Sequence, residues 1–160
     1  MAKEPAAREI KFPFKSREEL EAYLPYLITR LAHRWATDQN AALCKDGLQG
    51  AKMRMLSCLS AFGELTINEL SILSVTEQST TSRTVEQLVS SGLAERNISQ
   101  SDQRVRTVRL TRDGTSTLMR LAPTINDLNQ NLLRDVDQEE LQNCVNVLGK
   151  MLKNIKKNQI

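Results

Sequence analysis

The stretch from residue 64 to 114 carries the densest structural punctuation in the chain, and it dictates an order: helix, turn, helix, then a β-hairpin. Thr66-Ile67-Asn68-Glu69 has the T-x-x-E form of a capping box. In that device the Thr and Glu side chains take up each other's backbone N–H groups, so a helix starts there. Ile67, Leu70 and Leu73 then recur three apart on one face. Ser74-Val75-Thr76 breaks the pattern. A second helix is expected from about residue 77 to 91, ended by Gly92 in the left-handed conformation that closes helices. Two short runs, 93–98 and 105–110, flank the polar Ser99-Gln100-Ser101-Asp102-Gln103, as two strands joined by a hairpin loop require.

The second helix has two faces. At 100° per residue, Thr81, Val85, Leu88 and Val89 fall together and should face a core. Thr76, Ser79, Thr80, Arg83 and Gln87 fall on the other side. Short hydroxyl side chains allow close approach to base edges, and Arg is the common bidentate partner of guanine O6 and N7. An ordinary solvated helix face has a similar composition. The hairpin shifts the balance. Between residues 96 and 112 lie five arginines (Arg96, Arg104, Arg106, Arg109, Arg112) and one acid, Asp102, a local charge of +4 in a chain that is +3 overall. Charges on an edge strand also block edge-to-edge pairing. Directly after a helix-turn-helix pattern, however, arginines are the residues that reach phosphates and narrow minor grooves.

The segments Gly92-Leu93-Ala94-Glu95-Arg96, Asp102-Gln103-Arg104 and Leu110-Thr111-Arg112-Asp113-Gly114 together resemble the signature of MarR-family transcriptional regulators: G-L-V-x-R, D-x-R and L-T-x-x-G at fixed spacing. Leu65-Thr66-Ile67-Asn68-Glu69-Leu70 looks like the family's L-T-x-x-x-L, and Ser79-Thr80-Thr81-Ser82-Arg83 like its S-T-x-[ST]-R. The motifs cover roughly residues 48–114; the flanking helices match in length and pattern. The resemblance implies a winged-helix, dimeric repressor or activator that binds duplex DNA, with the second helix in the major groove and a wing arginine in the minor groove. Carried over, Arg104 would enter the minor groove, Asp102 would orient it, and Arg83 would lie on the major-groove face. Arg106 would belong to the same wing, and Arg96 would contact phosphate or support Asp102. One departure is that the loop reads Ile98-Ser99-Gln100-Ser101 where family wings often carry Pro and a further acid. The resemblance also implies a small effector, often aromatic or phenolic, between the dimer helices and the DNA lobe. His33, Trp35, Met53 and Met55 are its candidate contacts, because they lie on the helices expected to line that cleft and differ from the aliphatic residues around them.

The flanking helices read as follows. Ser16-Arg17-Glu18-Glu19 is another capping box, and Leu20, Leu24, Leu27, Ile28, Leu31 and Trp35 keep one face behind it. Pro25 should kink this helix or divide it, leaving a longer helix of about 25–44. Ahead of it, Phe12-Pro13-Phe14 is an apolar arm expected to pack on a partner subunit or in the cleft. A helix at about 51–62 should turn Met55, Leu56, Leu59 and Phe62 inward. Past Gly114, Leu118, Leu121, Ile125, Leu128 and Leu132 keep the 3.5-residue period of a coiled-coil seam, with Pro123 expected to kink it. Asp137-Gln138-Glu139-Glu140 caps a last helix whose Leu141, Val145, Leu148, Leu152 and Ile155 continue that period. Two such seams can close on each other as a hairpin or pair between chains. A homodimer built by the first and last helices is the expectation here, since a dimer reads two half-sites about one helical turn apart.

The fold class expected is therefore mainly α (α+β): one domain over 1–160, with a winged helix-turn-helix lobe at 48–114, dimerisation helices at 16–47 and 115–160, and an N-terminal arm at 1–15. With 4% aromatic residues, the core must be aliphatic. No stretch approaches the ~20 apolar residues of a membrane span, and Met1-Ala2-Lys3-Glu4-Pro5 lacks a signal-peptide core, so a cytoplasmic location is expected. One histidine, no phosphate-binding glycine loop and no Cys/His cluster argue against an enzyme, a cofactor or a metal. Cys58 and Cys144 sit among apolar helical neighbours and should be buried and inert; Cys44, near a helix end, is the candidate thiol for an alternative, redox-sensing regulator of the same fold. A winged-helix module that binds protein instead of DNA is the other alternative. It would not need four arginines between residues 104 and 112.

Overall fold

The capping chemistry sets where the helices begin. In the computed structural model, which describes residues 12–48, 50–98 and 106–155, the first helix is α1, Arg17–Glu21. Ser16 Oγ accepts from the Glu19 N–H at 3.3 Å, while the Glu19 carboxylate accepts from Lys15 N rather than closing the box on Ser16. The second helix, α2, is Leu24–Leu43. Pro25 lies in its first turn, where a missing N–H has no intrahelical partner to lose, so it divides the helix as expected. A 3₁₀ turn, Cys44–Asp46, closed by Gly47 at φ +64°, leads to α3, Ala51–Phe62.

Next come β1, Leu65–Thr66, and α4, Ile67–Leu73. Both halves of the Thr66 box are formed: Glu69 N donates to Thr66 Oγ1 at 3.2 Å and Thr66 N donates to Glu69 Oε2 at 2.8 Å. The fifth helix, α5, is Gln78–Ser90, followed by Gly92 at φ +74°. Strands β2, Ala94–Ile98, and β3, Arg106–Leu110, pair antiparallel from Ala94↔Leu110 to Ile98↔Arg106. The sheet has a third strand, in the order β1-β3-β2, because Leu65 pairs with Val108 and Thr66 with Thr107. That two-residue strand is too short to show any alternation in the sequence.

Thr111 then caps α6, Arg112–Leu132. Its Oγ1 accepts from Gly114 N at 3.0 Å and donates to the Gly92 carbonyl at 2.6 Å, while its own N–H donates to Leu93 O. The helix is continuous through Pro123. The last helix, α7, Gln138–Ile155, starts in a reciprocal box: Glu140 N donates to Asp137 Oδ1 at 2.8 Å and Asp137 N to Glu140 Oε2 at 3.0 Å.

The core is aliphatic and sits under the helix-turn-helix: Met55, Leu56, Leu59, Leu70, Val85, Leu88 and Val108 are all buried, joined by Leu43 from α2 and Leu121 from α6. Met53 is buried too. Phe62 is not inward but 60% exposed, because it is the last residue of α3 and the chain turns away at Gly63. Helix α7 contributes no buried residue, and the apolar face of α2 is open along Leu24, Leu27, Ile28 and Leu31. In the arm, Phe12 is 85% exposed, and Phe14 packs on Tyr23 of its own chain with ring centroids 5.0 Å apart. Among the described residues no helix is long and apolar enough to cross a membrane.

Candidate nucleic-acid interface

Helix α5 has the two faces its sequence requires. Thr81, Val85 and Leu88 are buried, and Thr84 joins them. A fully buried Thr81 hydroxyl is accommodated because it donates to the Glu77 carbonyl one turn back, at 3.1 Å. Ser79, Thr80, Arg83 and Gln87 are exposed on the opposite side. Among the described residues no acid lies within ion-pair distance of Arg83. Thr76 differs from the other four. It precedes α5, is half-buried, and its hydroxyl donates to the Ser74 carbonyl at 3.1 Å, so it shapes the turn instead of extending the helix face.

Alongside α5 stands the β2–β3 hairpin. Asp102 and Arg104, the pair expected to enter the minor groove, lie outside the described residues. Arg106 is exposed at the start of β3. The other hairpin arginines are not all free for phosphate. Arg109 Nε sits 2.6 Å from Glu95 Oε1 directly across the ladder. Arg96 Nη2 is 3.7 Å from Glu86 Oε1, which ties β2 to α5. Both pairs are exposed, so each is worth little energetically. Their effect is on charge: two of the five arginines that made the segment strongly basic have an acid beside them. The sequence hid this, because Glu86 and Glu95 are brought to their partners only by folding.

A second feature is an open cleft of about 600 Å³ between α2, α3 and the end of α4. It is lined by Ala32, Trp35, Ala36 and Gln39 from α2, by Met53, Arg54, Ser57 and Cys58 from α3, and by Leu73 and Val75. Of the four effector contacts expected, the cleft brings together Trp35 and Met53. Met55 points the other way and is fully buried in the core, and His33 is exposed on α2 outside the lining. Helical phase explains the separation: Met53 and Met55 are two residues apart on α3 and so cannot share a face. Arg54, Cys58 and Val75 join the lining, and nothing in their local sequence marks them for it.

The cysteines also sort differently from expectation. Cys58 is half-buried, and burial pushes its thiol up, against a smaller opposing effect of the Arg54 charge. Cys144 is exposed, not buried, because α7 contributes no buried residue and its apolar face is largely uncovered among the described residues. Cys44 is exposed in the 3₁₀ turn. Among the described residues no three His, Cys, Asp or Glu groups gather as a metal site would need.

With this geometry in place, known proteins give a consistent comparison. Residues 49–105 match the sequence profile of the MarR family. A MarR family transcriptional regulator from Silicibacter pomeroyi DSS is 51% identical and superposes with a TM-score of 0.88, over 92% of this chain and 99% of that one. A second MarR family regulator from Silicibacter pomeroyi is 36% identical with a TM-score of 0.81, over 88% and 95% of the two chains. The HTH-type transcriptional repressor IacR of Pseudomonas putida is 25% identical over 130 residues, 81% of this chain and 78% of its own length. The winged helix-turn-helix built by α4, α5 and the β2–β3 hairpin, and the near-complete overlap with these regulators, establish that the chain belongs to the MarR family of transcriptional regulators.

Proposed function

We propose that this regulator binds a pseudo-palindromic operator in duplex DNA as a homodimer, most simply as a repressor, and that a small molecule releases it. The observation that carries the reading is the exposed face of α5, where Ser79, Thr80, Arg83 and Gln87 stand clear of the core beside a hairpin rich in arginine. Arg83 is suited to a guanine and Gln87 to an adenine edge in the major groove. Arg104 and Asp102 are assigned to the minor groove, Arg106 to phosphate. Because Arg96 lies beside Glu86, it is better suited to bracing the hairpin against α5 than to gripping the backbone.

The lobe at 48–114 would do the reading and the helices at 16–47 and 115–160 the pairing. What supports pairing is the uncovered apolar surface of α2 and α7; Leu121 and Ile125 of the α6 seam are already used against the lobe's core. Repression is supported by the similar repressor of Pseudomonas putida. The cleft beside Trp35 and Met53 has the apolar lining and few polar groups that small-molecule sites use, which suits an aromatic effector. Such a molecule acts only if it binds one separation of the two α5 helices better than another.

Selection of duplexes from a random pool, with competitor DNA at near-physiological salt, tests the reading. An enriched inverted repeat with half-sites about one helical turn apart is the expected result. Salt-labile binding without enrichment would reduce the protein to a general DNA binder, and no binding at all would overturn the proposal.

A further inference from the structure

Val75 holds a backbone conformation its side chain disfavours. Its φ is +52°, and its β-branched side chain is 83% exposed, so no burial rewards the conformation. A β-branched residue in the left-handed region is an outlier that persists only where its surroundings impose it. The imposing contacts are on either side. The buried Ser74 hydroxyl donates to the Leu70 carbonyl at 2.6 Å, and the Thr76 N–H donates to the Ser71 carbonyl at 2.9 Å. The remaining restraint comes from a different helix: Arg54 Nε on α3 donates to the Ser74 carbonyl at 2.8 Å. Among the described residues it is the one side-chain hydrogen bond tying this turn to an element outside α4 and α5.

The carbonyl that Arg54 holds belongs to the Ser74–Val75 peptide. Because a peptide is planar, rotating that plane changes ψ of Ser74 and φ of Val75 together. The rotation that would bring Val75 back to negative φ would swing the Ser74 oxygen off the guanidinium. We infer that Arg54 is a positioning residue for the recognition helix: by holding the Ser74 carbonyl it keeps Val75 left-handed, and so sets the direction in which α5 leaves the turn. Arg54 and Val75 also line the cleft, so whatever fills it touches both ends of this restraint. The inference deepens the proposed DNA-binding function and rests on it for its consequence, though not for its local geometry.

The test compares the wild-type protein with Arg54→Ala and with Arg54→Ala/Val75→Asn, Asn being a residue that tolerates the left-handed region. The DNA probe is the duplex most enriched by the wild type from the random pool. Arg54→Ala should weaken binding about tenfold. Its dependence on log salt should keep the wild-type slope, whereas loss of a phosphate contact would reduce that slope by about one. Val75→Asn in the same background should recover most of the affinity. Amide hydrogen exchange supplies a readout without DNA: the Thr76 amide should exchange faster in Arg54→Ala, while the Leu56 and Leu88 amides keep their protection. Wild-type affinity in Arg54→Ala, a slope lower by one, no recovery with Val75→Asn, or uniform loss of protection would each overturn the inference. If the wild type enriches no duplex, the DNA-binding proposal fails, and exchange at Thr76 still decides whether Arg54 holds the turn.

Discussion

Gly114 shows how a single residue can fix the relation between two elements. A Cβ built on it would lie 2.0 Å from the Leu93 carbonyl oxygen, a backbone atom that cannot swing aside. The same residue supplies the N–H that the Thr111 cap accepts, so α6 starts pressed against the beginning of the hairpin. Gly114→Ala should therefore destabilise the protein by about 1–3 kcal/mol, as other overpacking changes do, seen as a lower urea midpoint at constant slope. An unchanged midpoint would mean the contact is looser than its geometry. At Arg83 the expected effect concerns specificity and not stability. The side chain is exposed, so Arg83→Ala should leave the urea midpoint in place while relaxing base preference at one position per half-site by about 1–3 kcal/mol. Selection with the variant reads this directly, and an equal loss on every sequence would make Arg83 a phosphate contact. Both positions stood out in the sequence as members of motifs. The reason for the glycine did not, because the Leu93 carbonyl reaches it only through the folded hairpin.

At the scale of elements, the devices that work within one turn were readable and those that work across the fold were not. The boxes at Thr66 and Asp137 close in both directions, since each needs only residues three apart, whereas the one at Ser16 forms only its first half because Glu19 turns to Lys15 N. Thr66→Ala removes the acceptor for Glu69 N and should cost about 1 kcal/mol, measured by urea unfolding. Its effect on operator binding should follow only if α4 shifts against α5. Strand β1 could not be read, because its two residues become a strand by pairing with residues 107 and 108, more than forty positions away. The acids beside Arg96 and Arg109 are illegible in the sequence for the same reason, and with them the partial neutralisation of the hairpin. Helical phase points Phe62 inward, yet it is exposed, because phase carries no information about where the helix leaves the core.

At the scale of the whole molecule, α2 and α7 carry apolar faces that the described residues leave largely uncovered. Leu31 is 53% exposed and Leu152 64% exposed, and the seam that continues through Val145 and Ile155 is equally uncovered by its own chain. The two heptad seams do not bury each other as an intramolecular hairpin would, since no residue of α7 is buried. This asymmetry separates folding from association. A change within α7 leaves the core under the helix-turn-helix untouched, because no core residue comes from that helix. Leu152→Glu should accordingly preserve the helical circular dichroism of the lobe while moving the protein from dimer to monomer on a sizing column. Weaker operator binding should accompany it, because each half-site would then be read alone. Leu121→Glu provides the contrast: Leu121 is buried against the lobe, so charging it should lower stability as well as any association. A Leu152→Glu protein that elutes as the wild type does would place the pairing surface on α2 alone or remove the dimer from the proposal. The wild-type elution mass separates those cases: a dimer mass that survives Leu152→Glu leaves α2 as the pairing surface, and a monomer mass removes the dimer.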